Sequence, residues 1–81
     1  MIRCVLDDVG LDPRGLEGVE VRPAGGGVDP TPWAPHEVLV VSKHADLLAA
    51  AGALGMHRLL ATDALATAAA ARDLCLELDR S

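Results

Sequence analysis

Two charged residues of this 81-residue chain follow apolar runs in the way that reactive groups follow buried strands. Asp8 comes after the apolar run at 2–6, and Lys43 after the run at 38–41. An open parallel sheet binds ligands just beyond the carboxyl ends of its strands. Asp8 therefore lies where a carboxylate can act. Lys43 is the only lysine of the chain, and taken alone it reads as a solvated side chain beyond a strand end. Arg22 closes a short extended segment at 19–22, ahead of Pro23. Taken alone it reads as a surface arginine before a loop-starting proline. Trp33 is the only aromatic side chain. It serves either as a lid over a core that lacks other aromatics or as an anchor for a partner, a role tryptophan favours. Cys4 and Cys75 stand apart in apolar surroundings without metal-ligand spacing, which predicts buried free thiols. Gly25-Gly26-Gly27 lacks a following Lys-Ser/Thr and does not sit between a strand and a helix, so it is no phosphate loop.

The elements that must position these groups follow from pattern. The β-branched run at 38–41 predicts a strand buried on both faces. Residues 45–54 contain no proline and no interior β-branched residue and are rich in alanine, which predicts a helix. Asp46 suits its first turn, Ser42 or His44 stands near its N-cap, and Gly55 stops it. A further strand is expected at 58–61, and Thr62-Asp63 opens a last helix. Strand, helix, strand in that order make a βαβ unit with parallel strands and a right-handed crossover. On the last helix Leu65, Ala69, Arg72 and Leu76 form one stripe, and Ala70, Leu74 and Leu78 another. That helix is expected to pack on the sheet, with part of its face left for a dimer contact. The expected fold class is α/β: one domain over 1–81, a small three-layer Rossmann-like parallel sheet of three or four strands, with helices at about 44–54 and 63–78. A Gly/Pro-rich loop occupies 23–36; so long a loop is functional or mobile.

Composition excludes several classes of partner. Net charge is −5 and the isoelectric point near 4.9, so neither nucleic acid nor an anionic membrane is expected as a partner. No apolar run approaches the ~20 residues that span a bilayer. The opening MIRCVLDD lacks the apolar stretch of a signal peptide, and the expected location is the cytoplasm. Apolar residues make up 51% of the chain, so the core must be built from Leu, Val and Ala. A chain this short is near the lower limit for independent stability.

The block LVVSKHADLLAAAGALGMHRLLATDAL at 39–65 resembles the last conserved segment of haloacid-dehalogenase-like hydrolases. In that family an apolar strand ends in acidic residues. A helix follows that closes on Ala-Leu-Gly-Met or similar, then a strand and Thr-Asp. The opening IRCVLDDVG is similar to the family's first motif and puts Asp8 at the position of the nucleophile. Gly10 then stands at the position of the general acid. Arg22-Pro23 is similar to the Lys-Pro of the third motif, which implies a phosphate contact for Arg22 as a bidentate fork, with Lys43 as a further phosphate-binding candidate. Ser42 and Lys43 replace the family's acidic pair, and there is no room for the second motif or for a cap domain. The resemblance implies that Mg²⁺, which needs carboxylate oxygens, would be bound only by a catalytic form. It also implies that Lys43 approaches Asp8, so that an ion pair fills the metal's place. Two readings follow: a non-catalytic binding or assembly module, a pseudo-phosphatase without cofactor, which is favoured, or a small phosphatase that uses Asp8 as nucleophile. A homodimer or a protein partner is expected, because the family's second neighbour of the first strand is missing and, unless 19–22 folds back to cover it, an open strand edge invites pairing.

Overall fold

The computed structural model describes residues 2–11, 16, 18–24, 28–30 and 32–80, with residues 79 and 80 as backbone only. Among the described residues four short strands form one sheet: β1 (Cys4–Asp7), β2 (Glu20–Pro23), β3 (Val38–Ser42) and β4 (His57–Leu60). Their order is β2-β1-β3-β4, and every pairing is parallel. Two helices, α1 (Ala45–Ala53) and α2 (Ala64–Arg80), complete the expected small Rossmann-like α/β fold. A single 3₁₀ turn at Pro35–Glu37 leads into β3. Among the described residues no helix is long and apolar enough to cross a membrane.

Alternation along the strands sorts the core into two layers. Val5, Leu39 and Val41 face one side, where Ala71, Leu74 and Leu78 of α2 cover them. Cys4, Leu6, Val38 and Val40 face the other, under Ala51, Leu47 and Leu48 of α1 and under Trp33. Every residue of β3 is buried, which is why its sequence shows no polar alternation. α1 ends as a Schellman turn. Met56 N donates to Ala51 O at 3.0 Å and Gly55 N to Gly52 O at 3.1 Å, with Gly55 at φ +87°. That conformation favours glycine, so the helix stops where the sequence places its glycine.

The connections decide where a site can form. The return from β1 to β2 carries Leu11 and Leu16 over the α2 side. The passages from β2 to β3 and from β3 to β4 run over the α1 side. The chain thus moves one way across one face and the opposite way across the other, as a single crossover hand requires. Its direction reverses between β1 and β3. The crevice beyond the carboxyl ends of these two strands is the switch point at which α/β sheets place ligands.

One expectation is corrected here, and another becomes specific. The segment expected at 19–22 does not leave β1 open. As β2 it pairs in register, Cys4 with Glu20 through Asp7 with Pro23. With β3 on the other side, β1 is a central strand, and the open-edge argument for a homodimer falls away; the sheet edges are β2 and β4. On α2, the stripe of Leu65, Ala69, Arg72 and Leu76 points to solvent, with Leu65 86% exposed. The packed face carries Leu74 and Leu78 of the other stripe, together with Thr67 and Ala71.

Candidate functional site

Asp8 meets its partners across the switch point. Leu6 pairs with Val40 in register, so Asp8 and Ser42, two residues further on, share the α1 side of the sheet. Ser42 Oγ donates to Asp8 Oδ2 at 2.7 Å and accepts the His44 backbone N–H at 2.9 Å. The Ser42 side chain thus ends β3 and also sets the entry to α1, where His44 is the N-cap without a side-chain bond of its own. His44 Nε2 stands 3.9 Å from Asp8 Oδ2, with its ring 77% exposed and the Asp8 side chain 21% exposed.

The expected Lys43–Asp8 ion pair is not present. Consecutive residues leaving a strand point to opposite faces. Because Ser42 turns toward Asp8, Lys43 turns away toward α2, where it lines a cavity. The partner of Asp8 is therefore a neutral hydroxyl. That hydroxyl spends its proton on a carboxylate, and no imidazole contacts its oxygen. A nucleophile must instead be hydrogen-bonded to a base within reach. Among the described residues, no group of three or more His, Cys, Asp or Glu side chains is arranged to hold a metal ion.

Asp7, the last residue of β1, does different work. Its buried carboxylate accepts the N–H groups of Val9 at 2.8 Å and Leu11 at 2.9 Å. Gly10 between them has φ +71°, the left-handed region that favours glycine. The position matching the family's general acid is thus a turn built for a residue without a side chain.

That turn walls a cavity of about 250 Å³ on the α2 side. Val9 and Leu11 line it, together with Lys43 and with Leu65, Thr67 and Ala68 of α2. The start of α2 is fixed by two bonds. Asp63 Oδ1 accepts Ala66 N at 2.9 Å, and Thr67 Oγ1 accepts Thr62 N at 2.8 Å. Asp63 is thus the N-cap, and Thr67, 3% exposed, is a buried hydroxyl beside the cavity.

Arg22 is placed elsewhere. It lies in register with Leu6 on β2, its Nε 2.9 Å from Glu20 Oε2. A hydrogen bond with the Cys4 thiol, together with nearby Glu20 and Asp29, raises its pKa. Trp33 packs over the α1-side core, as a lid does, and its buried Nε1 has no hydrogen-bond partner among the described residues. Both cysteines are free; Cys4 is buried and Cys75 half-buried, and burial raises the Cys75 pKa. Gly25-Gly26-Gly27 lies outside the described residues.

Asp7, Ser42 as the partner of Asp8, His44 and Thr67 were not singled out for these roles by sequence reasoning. Strand parity was the available signal for Ser42. A scan against protein-family models finds no matching family, and searches of curated proteins and of solved structures find no match.

Proposed function

We propose that the chain is a non-catalytic binding module on a reduced haloacid-dehalogenase-like core, a pseudo-phosphatase. The observation that carries this reading is the 2.7 Å bond from Ser42 Oγ to Asp8 Oδ2. A hydroxyl occupies the carboxylate that would attack, where catalysis would need a second carboxylate and a metal. The left-handed turn at Gly10 supports the same reading, because the general-acid position carries no proton donor. General acid catalysis is typically worth about 10²–10⁴ in rate.

The alternative, a small hydrolase with Asp8 as nucleophile and Mg²⁺ as cofactor, draws on the partial exposure of Asp8 at the switch point. Assay of a generic phosphate monoester with and without Mg²⁺ separates the two. The module reading expects no turnover above background. Turnover that needs Mg²⁺ and disappears in Asp8→Asn would overturn it.

Association with a second copy is part of the proposal, now through the outer face of α2. Leu65 and Leu76 are 86% and 53% exposed there. Sedimentation at low micromolar concentration should show a dimer that Leu65→Glu with Leu76→Glu dissociates. A monomer in the unsubstituted protein would remove this part.

A further inference from the structure

The cavity beside α2 contrasts with the rest of the molecule. The chain has a net charge of −5, yet Lys43 is the one charged residue among those described that line this space. No described carboxylate lies within the 4.0 Å of an ion pair to it. Beside it Thr67 is 97% buried by the complement of its 3% exposure. The Thr67 oxygen accepts the Thr62 N–H, while its own hydrogen has no acceptor among the described residues. A buried donor left unused is costly unless something supplies an acceptor. Apart from Thr62, the other described walls are apolar, chiefly Val9, Leu11, Leu65 and Ala68.

We infer that this cavity takes a short aliphatic monocarboxylate. Its charged end meets Lys43 and the Thr67 hydroxyl, and its chain lies against Val9, Leu11, Leu65 and Ala68. The start of α2 borders the same space, and the positive end of the helix dipole favours an anion there. One cation and one hydroxyl suit a single negative charge, and apolar walls suit an alkyl chain, whereas a phosphate dianion would leave most of its oxygens without donors. Size agrees. At about 30 Å³ for each water-sized atom, the roughly 250 Å³ holds about eight non-hydrogen atoms, the number in hexanoate. This inference names the ligand class of the proposed module and rests on that reading, but it uses no atom of the Asp8–Ser42 pair.

Titration of the full chain with sodium hexanoate at constant ionic strength, followed by amide chemical shifts, is the test. Saturable binding is expected, with shifts concentrated at Leu11, Thr67 and Ala68. Lys43→Met should weaken it by about tenfold or more, the scale of one charge-assisted hydrogen bond. Thr67→Val should weaken it similarly, Thr67→Ser should retain it, and Arg72→Gln on the outer face of α2 should leave it unchanged. Hexan-1-ol, with the same chain and no charge, should bind more weakly, and inorganic phosphate should produce no saturable shift. Lys43 is exposed, so its variant folds and decides the matter even if a Thr67 variant does not. A flat titration, equal affinity in Lys43→Met, or hexanol binding as well as hexanoate would overturn the ligand assignment and leave the non-catalytic reading standing. Asp8-dependent turnover of a phosphate ester would overturn that reading and leave the titration result standing.

Discussion

Ser42 and Lys43 are neighbours in sequence, yet they belong to two regions of opposite character. On the α1 side, Ser42, Asp8 and the His44 amide form a closed set: the hydroxyl both donates and accepts, and the carboxylate has a proton facing it. On the α2 side, Lys43 and Thr67 border an open space with donors to spare. One peptide step separates a satisfied cluster from an unsatisfied one. At the end of a parallel strand, parity rather than proximity in sequence decides which groups can work together.

The largest effect comes from removing what both regions stand on. Leu39 is fully buried in the middle of β3. Leu39→Ala should cost about 2–5 kcal/mol, a large share of the stability of so small a domain. Chemical denaturation should show both regions lost in one transition. Separate transitions for the two sides would break the picture of a shared sheet.

Next in size is the wall of the cavity. Asp7→Ala strips the Val9 and Leu11 amides of their acceptor and should cost about 1–3 kcal/mol in urea denaturation. Asp7→Asn keeps an acceptor and should cost less. Equal losses would mean that the turn does not depend on those bonds.

The comparison is sharpest between the two neighbours themselves. Ser42→Ala leaves the Asp8 carboxylate and the His44 amide short of a partner and should destabilise by about 1 kcal/mol. Lys43→Ala, at an exposed residue without an ion pair, should change stability by no more than about 0.5 kcal/mol. A larger loss at Lys43 than at Ser42 would reverse the assignment of sides.

The smallest effect concerns the far end of the α2 side. Burial raises the Cys75 pKa above that of a free thiol. Alkylation of Cys75 in the native protein should therefore begin at higher pH than in the urea-unfolded chain, whose thiols titrate near about 8.5. Because the folded value is the higher one, the associated stability is present below the unfolded pKa and is lost as pH rises through the folded pKa. Labelling profiles that coincide would show Cys75 to be solvated.

Much of the architecture was legible because it rests on local rules. The run at 38–41 could only be an interior strand, the alanine-rich stretch before Gly55 could only be a helix, and Gly55 marks its stop. What escaped depended on relations between distant segments. The pairing of β2 along β1 was open in the sequence as one of two outcomes, and it removed the open edge on which one argument for a dimer rested. The buried face of α2 was left open between two stripes because an Ala-rich helix presents several similar ones, and the sheet selects the one with Leu74 and Leu78. For Trp33, two readings were open in the sequence, a lid and a partner anchor, and in the fold it packs, partly buried, against the cluster that holds Cys4 and Leu6. At the site, Asp8 was found from its position beyond a strand. Its partner was misassigned because Lys43 was weighed by charge and not by parity.

A double-mutant cycle tests this division most directly. Asp8→Ala is combined with Ser42→Ala in one cycle and with Lys43→Ala in another, and each set is measured by equilibrium denaturation. Residues in contact usually show coupling of about 0.5–3 kcal/mol, whereas independent sites add to within about 0.3–0.5 kcal/mol. Asp8 and Ser42 should show coupling in the first range, and Asp8 and Lys43 none beyond the second. Strong coupling of Asp8 with Lys43 and none with Ser42 would contradict the account.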